Sequence, residues 1–275
     1  MRVALIQNNP VFGDKKGNIE RLQRAMESTP ADLYVLPELC YSGYQFTSME
    51  EAIELADSQD SGYLDIFRSA ARRLDACIVF GFPERHGDKL YNASLAVLPD
   101  GTEHLYRKTH LFYKETIYFQ PGNLGFQIID FRETRIGMAI CFDWFFPESF
   151  RTLAMMGADI IAHCSNLVLP YCQQANFAQA VHNRVYIATA NRVGTEKREE
   201  ESLTFTGGSV LVSPKGEYLI TGPSEEPAIL VSDIDTGLAR NKRLNEFNDI
   251  FKDRKPGFYG YWYEPCKKPN FQQDA

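Results

Sequence analysis

Apolar and polar positions alternate in blocks along this chain, and each block implies an element. "RVALIQ" (residues 2–7) is an apolar run that stops at Gln7 and Asn8, which predicts a first strand. "KGNIERLQRAMES" (16–28) carries apolar residues at helical spacing, with Asn18 near its start. "DLYVLPE" (32–38) predicts a short buried strand, residues 61–75 a helix, and "ACIVFGF" (76–82) another strand. "LYNASLAVLPDGTEHLYRK" (90–108) predicts two strands joined at Pro99-Asp100-Gly101, a strong turn signal. "FQIIDFRETRIGMAIC" (126–141) predicts a further pair. A helix (147–156), the strand "ADIIAHCS" (158–165), a helix (173–184) and the strand "VYIATANRV" (185–193) follow. "GGSVLVSPKGEYLI" (207–220) predicts a second hairpin, and "AILVSDID" (228–235) a last strand.

This order mixes β-α-β units with hairpins. It predicts an α/β domain with a mixed sheet, or two sheets, covered by helices. No break in composition divides residues 1–246, which are expected to form one domain. "EKREEES" (196–202) is a charge run and predicts a solvated loop. The tail, 247–275, is different: "FNDIFKDRKPGFYGYWYEPC" holds many rings and Pro256 but little periodicity. Such a segment cannot fold alone, and is expected to pack on its own domain or on a second subunit.

Composition narrows the function. At 275 residues the chain can bury a large core, and 44% hydrophobic with 24% charged residues is ordinary for a globular protein. A net charge of -7 argues against nucleic acid or an anionic membrane as the main partner. No run approaches a membrane-spanning length, and the N-terminus reads as a strand and not as a signal peptide. The six cysteines (Cys40, Cys77, Cys141, Cys164, Cys172 and Cys266) form no CxxC pair, so their scatter suggests reduced thiols in a cytoplasmic protein. The five histidines show no HExxH spacing, and no metal or cofactor is expected.

One cysteine stands apart. In "MAICFDWFFPE" (138–148) Cys141 follows an apolar strand and precedes Pro147, which suits the first turn of a helix. A side chain there is held rigidly at a sheet edge, near backbone N–H groups able to cradle an anion. Core filling is the alternative, because free cysteine is among the most buried residues. Glu38 ends "DLYVLPE" and Lys108 ends "HLYRK", so both are charges at the exits of apolar strands. In open α/β sheets sites gather at such ends. Together the three would supply acyl transfer with a nucleophile, a proton acceptor and a cation for an oxyanion.

These residues resemble the nitrilase, or carbon–nitrogen hydrolase, superfamily and its Glu-Lys-Cys triad. The matches are "LPELCYSGY" around Glu38, "YRKTHLF" around Lys108 and "GMAICFDWFFPE" around Cys141. "LYNASLAVLPDG", "FQPG", "GADIIAHCSN", "HNRVYIATANRVG" and "GGSVLVSPKGE" support them in family order over about residues 1–235. The tail "RNKRLNEFNDIFKDRK" is similar to that of archaeal and bacterial members near the amidase and nitrilase branches.

The resemblance implies an α-β-β-α sandwich, with homodimers extending it to α-β-β-α-α-β-β-α. It implies a fourth charged residue, which Glu115 fits, although a surface carboxylate beside Lys114 is the plain alternative. Asp143 and Glu148 match the C-x-D and P-E positions, where they would order the site, and Phe142 would offer its backbone N–H to the oxyanion. Asn166 matches an asparagine near the site. Tyr113, Trp144 and Phe145 are candidate pocket walls or core packing. His182 departs from the glutamate often found before Asn183.

Aspartate two residues after the cysteine is similar to the amidase and carbamoylase branches. A small linear amide or N-carbamoyl compound is the expected substrate, a small nitrile the alternative. A catalytically silent interaction protein on the same fold, or a thiol-redox protein using Cys40, Cys164 or Cys172 as partner, would be other classes.

Overall fold

A computed structural model describes residues 1–259. Its elements run β1 (Arg2–Gln7), α1 (Lys15–Glu27), β2 (Leu33–Val35), α2 (Met49–Leu55), α3 (Gly62–Leu74), β3 (Cys77–His86), β4 (Lys89–Val97), β5 (Glu103–Arg107) and α4 (Glu115–Tyr118). Then come β6 (Ile128–Phe131), β7 (Thr134–Ile140), a 3₁₀ turn (Cys141–Phe145), α5 (Pro147–Met155), β8 (Ile160–Cys164), α6 (Cys172–Asn183) and β9 (Tyr186–Ala190). β10 (Thr195–Arg198), β11 (Glu201–Thr204), β12 (Val210–Val212), β13 (Tyr218–Thr221), β14 (Ala228–Asp233) and α7 (Gly237–Arg240) complete the main body. Short polar side chains start the early helices. Asp14 accepts from the Gly17 N–H, Ser48 from Glu51 and Ser61 from Tyr63, each satisfying a donor the helix cannot. Pro147 opens α5, where its missing N–H costs nothing.

Two six-stranded sheets form, in the orders β14-β1-β2-β3-β4-β5 and β13-β12-β9-β8-β7-β6. Each has three parallel strands at its centre (β1-β2-β3 and β7-β8-β9) flanked by antiparallel ones. The sheets meet face to face through strand pairs such as β2 with β8 and β4 with β7. α1 and α3 cover the outer face of the first sheet, α5 and α6 that of the second. The fold is therefore the expected α-β-β-α sandwich. Both faces of the central strands are covered, so they are buried throughout, as in β8 and β9.

Three local readings change. The strand expected over 32–38 stops at Val35, because Pro37 has no N–H for a ladder. The segment still clings to β3: Gly81 N–H donates to the Pro37 carbonyl and Cys40 N–H to the Gly81 carbonyl, both at 3.0 Å. The strand at 76–82 runs on to His86 and turns back into β4 through Gly87 at φ +63°, a hairpin not read from the sequence. The charge run at 196–202 is no solvated loop but most of the β10–β11 hairpin, with Glu196 buried. The short helices α2, α4 and α7 are further elements that the sequence pattern does not predict.

The described chain separates after Asn241. From Lys242 on it forms a small turn structure, in which Leu244 N–H donates to the Asn248 carbonyl at 2.9 Å and Asp249 accepts from Phe251 and Lys252 N–H. Phe247 and Phe258 are exposed. The rest of the expected aromatic contact, residues 260–275, lies outside the described residues. Among the described residues no helix is long and apolar enough to cross a membrane.

Gly81 fixes the approach of the 36–40 segment: a Cβ there would meet the Glu38 Cα at 2.5 Å and the Leu39 N at 2.7 Å. Those atoms are backbone and cannot swing aside. Gly81→Ala should therefore cost about 1–3 kcal/mol in urea unfolding, as overpacking does, and displace Glu38. Wild-type stability in this variant would show that the approach is not tight.

Candidate active site

Glu38, Lys108 and Glu115 come from three separate stretches and meet in one buried cluster. Glu38 lies three residues beyond β2, Lys108 directly after β5, and Glu115 opens α4. Lys108 Nζ donates to Glu38 Oε1 at 2.6 Å and to Glu115 Oε1 at 2.7 Å. Lys108 and Glu38 have no solvent exposure and Glu115 is 4% exposed, so Glu115 is not a surface carboxylate. An ammonium has three protons, and two are committed to these carboxylates.

Two neutral residues complete the cluster. Asn92, in the middle of β4, donates through Nδ2 to Glu38 Oε1 at 2.7 Å and more loosely to Glu115 Oε2 at 3.4 Å. The Tyr44 hydroxyl donates to Glu115 Oε1 at 2.6 Å. Glu38 Oε2 has no hydrogen-bond partner although it is buried. One oxygen of Glu38 is thus tied down and the other is free.

Cys141 reaches this cluster from the opposite sheet. It follows β7 immediately and takes φ +38°, a left-handed conformation that an ordinary side chain adopts at a cost of roughly 1–3 kcal/mol. Its thiol feels the charges of Glu38, Lys108 and Glu115, and the Asn166 N–H points to it. Burial pushes the thiol pKa well above the ordinary cysteine range; the two carboxylates push it further, against Lys108 and the Asn166 N–H. Burial likewise raises Glu38, to about 7, aided by Glu115 and opposed by Lys108. Burial alone would lower Lys108, but Glu115 and Glu38 more than reverse that and keep it protonated. At rest the site holds a thiol, an ammonium and a carboxyl group poised near neutrality.

The turn after Cys141 is pinned by Asp143. Its Oδ2 accepts from the Ile140 N–H at 2.9 Å and the Tyr106 hydroxyl at 2.7 Å. Its Oδ1 faces His110, 2.8 Å from Nδ1. Both oxygens are occupied in holding the loop.

A thiol, a free carboxyl oxygen and an ammonium with a spare proton can carry out acyl transfer. The comparisons agree. A family model described as carbon-nitrogen hydrolase matches residues 2–243. The chain belongs to the carbon–nitrogen hydrolase family. It is 44% identical over 263 residues to a protein of Pyrococcus abyssi named nitrilase, covering 94% of this chain and 99% of that one. It is 32% identical over 260 residues to an (R)-stereoselective amidase of a Pseudomonas species, covering 93% and 92%. The fold matches the crystal structure of a carbon-nitrogen hydrolase from Helicobacter pylori G27 with a TM-score of 0.85, at 24% identity, over 96% and 98% of the two chains.

The other expected residues of this carbon–nitrogen hydrolase are distributed unevenly. Tyr113 is exposed and, with Tyr44, Lys114, Glu115, Tyr118, Glu201 and Leu203, lines a narrow cleft beside the cluster. Asn166 is 2% exposed, and neither side-chain Oδ1 nor Nδ2 has a partner. Trp144 is buried and Phe145 half exposed, and their rings pack edge to face. The Phe142 ring lies against Phe112, Phe145 and Phe146. Glu148 is exposed in the first turn of α5, where a carboxylate suits the helix dipole, and takes no part in the hydrogen bonds above. His182 is exposed near the end of α6.

Tyr44 and Asn92 were not singled out in the sequence, although both lie inside quoted motifs. The available signal was a polar residue in the apolar β4 run, where a buried amide needs partners. Among the described residues no group of three or more His, Cys, Asp or Glu side chains is placed to hold a metal.

Lys108→Met would leave two carboxylates buried without their cation. Breaking a buried ion pair in this way costs about 3–5 kcal/mol. The loss should shrink as the pH falls, because a protonated Glu38 no longer needs the ammonium. Urea unfolding at pH 5 and pH 8 measures this; equal stability to the parent at pH 8 would show that the ion pairs contribute nothing net.

Proposed function

We propose that this carbon–nitrogen hydrolase cleaves a small linear amide or N-carbamoyl compound through a thioester on Cys141. The observation that carries the reading is the divided state of Glu38. Oε1 is held by Lys108 and Asn92, whereas Oε2 is buried without a partner in a carboxyl group raised to about 7. A base with that pKa suits proton transfer near neutral pH.

Glu38 takes the thiol proton as Sγ attacks the carbonyl carbon. The oxyanion is held by the third proton of Lys108 and the backbone N–H of Phe142. Glu38 returns its proton to the leaving nitrogen, which departs as ammonia or an amine, and the thioester remains. Glu38 then takes a proton from a water that attacks the thioester, releasing the acid and restoring the thiol. Glu115 holds the ammonium in place, Tyr44 and Asn92 fix the carboxylates, and Asp143 holds the turn. The narrow cleft, with Tyr113 in its wall, favours a small substrate; Trp144 and Phe145 are further candidate walls near Cys141. The unpartnered Asn166 amide suits the acceptor and donor of an amide or ureido group. Association into homodimers belongs to the same proposal. The second reading, a small nitrile, is favoured by the name of the Pyrococcus abyssi relative.

An ammonia-release screen over small amides, N-carbamoyl compounds and nitriles tests the substrate class. Release from nitriles alone would replace the first reading by the second. Cys141→Ala should abolish release and leave the fold intact; appreciable turnover would remove the nucleophile assignment.

Glu38→Gln should lower kcat by roughly 10²–10⁴-fold, the contribution of a general base. In the parent enzyme kcat/KM should fall as the pH drops below about 7, because protonation of Glu38 removes the base. A profile flat down to pH 5 would exclude Glu38 from that role.

A further inference from the structure

His163 sits in the middle of β8, fully buried, and the proposed reaction has no use for it. Its ring lies in a line of hydrogen bonds that starts on α6. Asn176 Nδ2 donates to Thr189 Oγ1 at 2.7 Å. Thr189 is the cross-strand neighbour of His163 on β9, and its Oγ1 is 2.9 Å from His163 Nδ1. Nε2 is 2.9 Å from the carbonyl oxygen of Cys141, which can only accept, and 3.1 Å from Ser165 Oγ, so the proton of the neutral ring sits on Nε2. Nδ1 is then the acceptor, and the Thr189 hydroxyl donates to it while its oxygen accepts from Asn176. Burial lowers the imidazole pKa to about 4, so the ring stays neutral and keeps one N–H. The Phe150 ring meets it edge on and fixes its plane.

The carbonyl that receives this N–H belongs to the peptide joining Cys141 to Phe142. A trans peptide is planar, and its C=O and N–H point in opposite directions. Holding the Cys141 oxygen on one side therefore aims the Phe142 N–H to the other. A hydrogen bond to the carbonyl also polarises the peptide and strengthens its N–H as a donor. Cys141 needs such a clamp, because its φ of +38° is not one the chain adopts unaided.

We propose that His163 is a positioning residue of the oxyanion site, clamping the Cys141–Phe142 peptide through Nε2–H so that the Phe142 N–H faces the substrate oxygen. This rests on the role proposed above for that N–H. His163 touches no reacting atom, and Thr189 and Asn176 act through it by holding Nδ1.

The experiment separates oxyanion stabilisation from thiol reactivity. Turnover is read by ammonia release from the compound the screen identifies. Thiol reactivity is read with methyl methanethiosulfonate, in which the thiolate displaces methanesulfinate at sulfur and no carbonyl oxyanion forms. Loss of a whole oxyanion donor costs roughly 10²–10³-fold in kcat, and a misaimed one should cost less, about 10- to 100-fold. His163→Leu should thus lower kcat about 10- to 100-fold with KM and methanethiosulfonate labelling of Cys141 within about twofold of the parent. His163→Gln, whose amide can place an N–H near Nε2, should recover most of kcat.

If the leucine variant does not fold, the near-isosteric Thr189→Val serves. It releases Nδ1 and should lower kcat with labelling unchanged, and Thr189→Ser should restore it. Unchanged kcat, a parallel fall in labelling, or no recovery by glutamine (serine in the Thr189 pair) would each overturn the proposal. Failure of the underlying reading shows separately: in the parent enzyme, labelling of Cys141 would leave ammonia release intact.

Discussion

A lysine ammonium sealed from water between two carboxylates is the interaction on which the site depends. Desolvating three ionisable groups is costly, and their mutual attraction repays it only when the geometry is good. Here Lys108 spends two protons on Glu38 and Glu115, while Asn92 and Tyr44 add a second donor to each of the carboxylate oxygens that Lys108 holds. One oxygen of Glu38 is left out. The same low-polarity surroundings that make the cluster expensive raise Glu38 and Cys141 together. At rest the thiol therefore keeps its proton, within electrostatic reach of a Glu38 carboxyl raised to about 7.

The sandwich is what brings these groups together. Glu38 and Lys108 leave strands of the first sheet, and Cys141 leaves a strand of the second. Neither sheet alone carries the constellation, so the packing between them sets the distance from Glu38 to Cys141. Gly81 lets the Glu38 backbone lie against β3. On the other side, β7 delivers Cys141 into a strained turn that Asp143 ties back to Ile140, Tyr106 and His110.

Supports from further away hold the rim. Arg192, buried and stacked over Phe205, pairs with the buried Glu196 carboxylate at the start of β10. Glu196 in turn accepts from the backbone N–H groups of Tyr44 and Gln45, at 3.1 and 2.8 Å. The residue that hydrogen-bonds Glu115 is thereby fixed by a hairpin about 150 positions away in the chain. At the cleft, Lys114 pairs with Glu201 of the same hairpin. Charges in "EKREEES" thus serve both buried structure and the edge of the cleft.

Local pattern determined much of this protein. Apolar periodicity and turn residues placed most strands and the four longest helices, α1, α3, α5 and α6, because buried faces and tight turns demand particular residues within a few positions. The "PELC", "YRK" and "AICFDW" stretches pointed to Glu38, Lys108 and Cys141 only as a set, through their resemblance to the nitrilase superfamily, since each motif is contiguous and the three stand in family order. Partners distant in the chain were decided only by tertiary structure. Asn92 reads as one polar residue in an apolar strand until folding sets it against Glu38, and Tyr44 as one ring among many until its hydroxyl meets Glu115. The "EKREEES" run looked solvated because charge is usually expelled from cores. Arg192 and the Tyr44 and Gln45 N–H groups, all outside the run, make burial of Glu196 tolerable. The surroundings of the His163 ring are likewise absent from "IIAHCS", because the Cys141 carbonyl at Nε2 and Thr189 at Nδ1 reach it only through the turn after β7 and the pairing of β8 with β9.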